Sequence, residues 1–238
     1  MTDFGLRDPY VGQMMAVLYR QAPGIPVINL FSYLPVFNPR ASAYLIAAYI
    51  EEFPPGSVFL GIVDPGVGTE RRALIVEADG RWFVGPDNGL FNVICKRASG
   101  FRRWGITYKP ERVSVSFHGR DLFAPVAAQL AQGNEVPGKP LDITVLPWRS
   151  WPEELLEVLY VDHYGNAMTG MRASTIEKTA TILVKDHIVS YMRTFAEAPA
   201  RQPFWYENSN GLVEIAIKEG SASELLGLEP GDPFRVDP

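Results

Sequence analysis

Four short clusters in this chain carry side chains able to bind or transform a ligand: Thr2-Asp3-Phe4-Gly5-Leu6-Arg7-Asp8, Ile62-Val63-Asp64-Pro65-Gly66-Val67-Gly68-Thr69-Glu70-Arg71-Arg72, Phe117-His118-Gly119-Arg120-Asp121 and Asp162-His163-Tyr164-Gly165-Asn166. The second is the most telling. An apolar strand delivers a carboxylate into a glycine-rich turn and two arginines follow, so Asp64 stands at the carboxyl end of a strand, where open α/β sheets bind ligands. Each cluster also has a purely structural explanation. An Asp before Pro-Gly is a common turn former, Asp3 and Asp8 could cap the helix they precede, and paired arginines are usually solvated. His118 falls between a strand-like stretch and a helix, a place for catalytic and structural histidines alike. Phe37, Phe117 and Tyr164 are core aromatics by default.

Several chemistries are excluded by pattern. There is no His-x-x-x-His or Cys-x-x-Cys pair, and the carboxylates lack the spacing of a calcium loop. A Walker phosphate loop and a Gly-x-Ser-x-Gly elbow are missing as well. What remains is an Asp, Arg and His set without an evident protein nucleophile. From the residues alone, a metal-dependent phosphohydrolase with Asp3, Asp8, Asp64, Asp87 and His118 as ligands stays open.

The elements that must position these groups alternate over the first two thirds. A helix from Asp8-Pro9 to Gln21, a strand over Ile25 to Phe31, a helix from Pro39 to about Phe53 and a strand over Ser57 to Asp64 are expected. Ala73 to Ala78 and Trp82 to Val84 flank Asp79-Gly80, a hairpin signal. Asn88 to about Ala98 reads as helical, and Asp121 can cap a helix that Gly133-Asn134 ends. This alternation predicts an α/β N-terminal domain with a mostly parallel sheet. Pro137, Pro140, Pro147 and Pro152 then mark a linker, dividing the chain into 1–147 and 148–238. Beyond it the pattern turns to strands, with Asn210-Gly211 and Pro230-Gly231-Asp232-Pro233 as turns, so the C-terminal domain should be small, β-rich and barrel-like.

Composition bounds the class. The chain has 238 residues, 47% of them hydrophobic and 21% charged, enough to bury a full core. A net charge of −5 argues against a nucleic-acid partner. No apolar run of membrane-spanning length occurs, and the single cysteine, Cys95, suits a reducing compartment, so a soluble cytoplasmic protein is expected.

In this order the clusters, with Asp8-Pro9-Tyr10-Val11-Gly12, Pro86-Asp87-Asn88-Gly89-Leu90 and Leu122-Phe123-Ala124-Pro125, resemble the S-adenosylmethionine hydrolases of the family that also contains the bacterial fluorinases and chlorinases. The resemblance spans nearly the whole chain. It implies attack of water or hydroxide on ribose C5′ of S-adenosylmethionine, giving adenosine and methionine, with Asp64, Arg71 and His118 as the catalytic triad. It further implies that Asp3 accepts both ribose hydroxyls, that Asp8 and Asp162 hold the methionine part, and that Asn166 and Ser209 meet the adenine edge. Tyr164, Glu214 and Ile217 would line the same ligand, while Phe37 and Phe117 flank the ribose and sulfonium. S-adenosylmethionine is then a substrate, no cofactor or metal is expected, and the site would lie between subunits of a homotrimer. Halogenating members carry an uncharged residue where Asp64 stands, the fluorinase has serine where Gly119 stands, and Asn210 lies where halogenases have arginine. Water is therefore the expected nucleophile, with a halide adenosyltransferase or a non-catalytic binder of S-adenosylmethionine or adenosine as alternatives.

Overall fold

The computed structural model describes residues 1–144 and 150–237. Contacts divide the chain into two compact units, Met1–Ala43 with Glu51–Trp151 and Tyr44–Ile50 with Pro152–Pro238. The boundary expected after residue 147 falls on 145–149, outside the described residues.

The first unit holds helices α1 (Tyr10–Gln21), α3 (Asn92–Arg97) and α4 (Ala124–Ala131) and the start of α2 (Pro39–Tyr49), whose later turns count with the second unit. Its strands are β1 (Val58–Leu60), β2 (Ala73–Ala78), β3 (Arg81–Pro86), β4 (Phe101–Ile106) and β5 (Gly138–Pro140), in the order β1-β3-β2-β4-β5. This sheet is mixed, which corrects the mostly parallel expectation: β1 runs parallel to β3, while the β3–β2, β2–β4 and β4–β5 pairings are antiparallel. The cause is local. Asp79 (φ 46) and Gly80 (φ 76) both adopt positive φ, the requirement of a two-residue type I′ turn, and such a turn can join only antiparallel neighbours. Ile25 to Phe31 belongs to no named strand, since Pro26 has no N–H to offer a ladder; Phe31 instead accepts from the Thr2 amide at 2.9 Å.

Two cap assignments also change. Helix α1 starts at Tyr10 with Pro9 at the cap position, leaving Asp8 exposed. Asp121 lies inside a helical run that begins one π-helical turn earlier, at Gly119–Phe123. There Ala124 N–H reaches back to the Gly119 carbonyl, and Pro125, which has no N–H, cannot form the α-helical bond that would tighten the turn. Met14 of α1 and Val126, Ala127 and Leu130 of α4 close over Ile62, Ile75 and Val84 to form the core.

The second unit is a sheet of β6 (Leu155–Val161), β7 (Ala167–Arg172), β8 (Thr181–Val184), β9 (His187–Tyr191), β10 (Pro203–Glu207), β11 (Leu212–Ile217) and β12 (Phe234–Asp237), with the short helix α5 (Ala222–Leu226). Its order is β12-β8-β9-β10-β11-β7-β6. Val158 N–H donates to Asp232 O at 2.9 Å and Gly231 N–H to Val158 O at 2.8 Å, which brings β6 to the approach of β12 and nearly closes the sheet as a barrel. All six residues of β11 are buried, and the Trp205 indole N–H finds Ala180 O at 3.1 Å, as a buried indole must. Asn208 to Gly211 links β10 to β11 and sets Tyr206 directly opposite Glu214. Among the described residues no helix is long and apolar enough to cross a membrane.

Gly165 has φ 82, and a Cβ placed there would lie 2.1 Å from Ser221 Oγ. Gly165→Ala should therefore lower stability by at least about 2 kcal/mol. Urea denaturation measures this, and an unchanged midpoint would contradict the packing described.

Candidate active site

In the first unit the chain leaves β1 through Gly61-Ile62-Val63 and turns at Asp64, with Val67 N–H on Asp64 O at 3.2 Å and Thr69 N–H on Gly66 O at 3.2 Å. Gly68 is obligatory here, since it has φ 82 and an added Cβ would meet Val115 O at 2.9 Å. The turn returns Arg71 to Asp64. Arg71 Nε donates to Asp64 Oδ1 at 2.7 Å and Nη2 donates to Oδ2, with only 11% and 5% of the two side chains exposed. The same Nη2 lies 3.1 Å from His118 Nδ1, and the guanidinium sits 5.1 Å from the Phe123 ring centre. These three residues therefore form one contact set.

A guanidinium can only donate, so His118 Nδ1 is the acceptor and the neutral ring carries its proton at Nε2. Burial, and next the charge of Arg71, push this imidazole below its ordinary range. It is thus neutral at pH 7, a donor at one nitrogen and an acceptor at the other. Of the paired arginines, Arg71 is buried in the contact set, whereas Arg72 is 60% exposed and reaches Asp87 at 3.0 Å.

Around this set, Asp3 Oδ2 accepts from Phe37 N–H at 3.0 Å. Burial raises the Asp3 carboxyl above its ordinary range, and the Asp64 charge adds to the rise. Phe37 has φ 55 and its side chain is exposed, so it is no core residue. Phe117 is buried, with its ring 6.0 Å from Phe4, 5.3 Å from Tyr10 and 5.1 Å from the Arg120 guanidinium. Asp8 is exposed and stands outside these contacts.

The second unit brings together six of the other expected residues, Asp162, Tyr164, Asn166, Ser209, Glu214 and Ile217, around one cavity of about 800 Å³. Asp162 Oδ1 accepts from the Tyr164 amide at 2.9 Å and the Asn166 amide at 2.8 Å, an Asx turn, and Asn166 Nδ2 bonds Oδ2 at 3.1 Å. Tyr164 is 75% exposed, contrary to the core default for aromatics. Glu214 is 2% exposed and is held by Tyr206 OH at 2.5 Å and Asn208 Nδ2 at 2.8 Å. Burial raises its carboxyl above the ordinary range against the pull of those two donors.

Sequence reasoning missed Tyr49, Tyr206 and Asn208. Tyr49 lines the cavity with its hydroxyl 3.2 Å from Met168 Sδ, and burial pushes that hydroxyl up to about 12. Tyr206 could have been found by working out the hairpin register, which sets it across from Glu214. Among the described residues no three His, Cys, Asp or Glu side chains come together to hold a metal ion, so Asp3, Asp8, Asp64, Asp87 and His118 do not form a common ligand set.

Two family descriptions match the chain: SAM hydroxide adenosyltransferase N-terminal domain over residues 1–138 and SAM hydroxide adenosyltransferase C-terminal domain over residues 156–235. It is 40% identical to the (R)-S-adenosyl-L-methionine hydrolase of Thermus thermophilus, covering 99% of this chain and 97% of that protein. Identity to the (R)-S-adenosyl-L-methionine hydrolase of Salinispora arenicola is 36%, covering 99% of this chain and 95% of that protein. The crystal structure of an uncharacterized conserved protein from Thermotoga maritima superposes with a TM-score of 0.88 at 29% identity, covering 100% of this chain and 98% of that one.

The geometry predicts that His118 titrates below pH 6.5 and, when neutral, is protonated at Nε2. Nitrogen-15 NMR across a pH series reads both. A midpoint at or above 6.5, or a proton on Nδ1, would contradict the contact with Arg71.

Proposed function

The chain belongs to the SAM hydroxide adenosyltransferase family, and we propose that it hydrolyses S-adenosyl-L-methionine by attack of water on ribose C5′, giving adenosine and L-methionine. The observation that carries this reading is the Asp64–Arg71–His118 contact set. The chemistry asks for little else. As the C5′–O bond forms and the C5′–S bond breaks, the sulfonium leaves as a neutral thioether, so no general acid is required; an aligned water in a dry site suffices.

Asp64 takes the water proton. A carboxylate offers about four lone-pair sites, and Arg71 occupies one on each oxygen. His118 is assigned the donor's role, since Nδ1 already accepts from Arg71 and Nε2–H can hold the water oxygen. Arg71 stabilises hydroxide character as it develops.

For the substrate, Asp3 serves the two ribose hydroxyls, with Phe37 and Phe117 beside the ribose and sulfonium. Asp8 and Asp162 serve the methionine part, Asn166 and Ser209 the adenine edge, and Tyr164, Glu214 and Ile217 the remaining wall. The cavity lined by the six second-unit residues supports their grouping as recognition residues, while the reaction groups, with Asp3, Asp8, Phe37 and Phe117, belong to the first unit. No cofactor enters the proposed reaction, and S-adenosylmethionine is its substrate. The reading includes a homotrimer with sites completed at subunit interfaces. It also includes a cytoplasmic location, supported by Cys95, a free, buried thiol.

Chromatography of S-adenosylmethionine incubated with the protein, in chloride-free and in high-chloride buffer, tests the reaction. Adenosine and methionine in both, unaffected by chelator, are expected. 5′-Chloro-5′-deoxyadenosine appearing with chloride would make the enzyme a halogenase, intact substrate would make it a binder, and loss of activity with chelator would restore a metal mechanism. Asp64→Asn should slow hydrolysis by on the order of 10²-fold while sparing substrate binding. Because His118 must be neutral, kcat should fall with acid only below pH 6.5, on the side to which its shift points. Sedimentation equilibrium tests the trimer.

A further inference from the structure

Pro86-Asp87-Asn88-Gly89-Leu90 takes no part in the steps above, yet it touches both ends of the loop that carries them. Asn88 Nδ2 donates to Val63 O at 2.8 Å, the carbonyl immediately before Asp64. At the other end, Asp87 N–H donates to Arg72 O at 3.0 Å and Asp87 Oδ2 accepts from Arg72 Nε at 3.0 Å. We propose that Asp87 and Asn88 are positioning residues for the Asp64–Arg71 pair, one fixing the residue after Arg71 and the other the residue before Asp64.

The clamp is itself anchored. Asp87 Oδ1 accepts from Arg103 Nη2 at 2.8 Å, and these two side chains are only 3% and 4% exposed. Taking both ions out of water costs much of what their attraction returns, so a buried pair is a poor device for stability alone. It is a good device for direction, because Arg103 lies in β4 and Asp87 follows β3, both in one sheet. Asn88 is oriented too. Its Oδ1 accepts from Leu90 N–H at 3.3 Å, which turns Nδ2, not the oxygen, toward Val63. Both termini of the 64–71 loop are thereby tied to the rigid end of β3, and the loop cannot shift without breaking a bond at one end. Displacement matters here because a shift of about 1 Å in a reacting group can remove on the order of 10²-fold in rate.

This inference rests on the hydrolysis proposed above, and its test separates the two. Asn88→Ala, Asn88→Asp and Arg72→Ala are compared with the unaltered protein for kcat, KM, Tm and the NMR titration midpoint of His118. Arg72 is 60% exposed, so its variant should fold even if substitutions at Asp87 do not. The chain has 3 histidines, which makes the resonance assignable. Asn88→Ala should lower kcat on the order of 10-fold with KM within about twofold, the pattern of lost transition-state alignment. The His118 midpoint should rise toward 6.5 as Arg71 withdraws, Arg72→Ala should act in the same direction, and Asn88→Asp, lacking the donor, should be no better than alanine. A folded Asn88→Ala protein with unchanged kcat and unchanged His118 midpoint overturns the clamp, as does a loss of rate matched by a general fall in Tm with no move at His118. Should the unaltered protein fail to turn over S-adenosylmethionine, the functional reading falls, while the His118 midpoint still decides the clamp.

Discussion

One guanidinium shared between a carboxylate and an imidazole is the interaction on which the arrangement of the first unit's candidate site depends. Arg71 gives both oxygens of Asp64 a fork of donors and turns the remaining edge toward His118 Nδ1. That single geometry settles the tautomer of the histidine and, added to burial, keeps its ring neutral, while it pairs a carboxylate with a permanent positive charge. Much of the surrounding loop can be understood as what is needed to return Arg71 to Asp64. Glycine stands where the Val115 carbonyl crowds the turn, and the hydroxyl of Thr69 bonds Gly66 O at 2.7 Å across it.

The second unit solves a different problem. It keeps a glutamate and an aspartate on the walls of one cavity, Glu214 paired with a phenol and an amide, Asp162 with backbone amides. Among the described residues neither carboxylate is paired with a cation. Neutral donors leave the remaining lone pairs directed by covalent geometry, which suits recognition of a ligand's own N–H and O–H groups better than a fixed salt bridge would.

How much of this was legible in the sequence depends on the range of the interaction. The Asp79-Gly80 hairpin, the β10–β11 hairpin and the last strand after Pro230-Gly231 follow from local turn chemistry, and the sequence marks them. The sheet direction in the first unit was misread because alternating helices and strands suggest crossovers, while the decisive feature was one type I′ turn. Asp64, Arg71 and His118 were singled out as separate clusters and identified as a set by resemblance; their mutual contact is long-range and no spacing encodes it. Asp8 and Asp121 looked like caps because a single proline shifts a helix start, and Pro125 moved the second start upstream through a π-helical turn. Tyr206 and Asn208 were overlooked because a tyrosine in a β-rich stretch reads as packing until its cross-strand partner is known to be a buried acid.

The π-helical turn at Gly119–Phe123 has a further consequence. It places an additional residue between His118 and the buried face of α4. Each residue of a regular helix advances the rotation by roughly 100°, so the wide turn sets the angular phase between the imidazole and the core that α4 packs into. Losing one residue from this segment would restore ordinary helix and swing either the histidine out of the arginine's reach or Val126 and Leu130 out of the core. The count of residues from His118 to Pro125 is therefore as binding on this fold as the identity of any side chain between them.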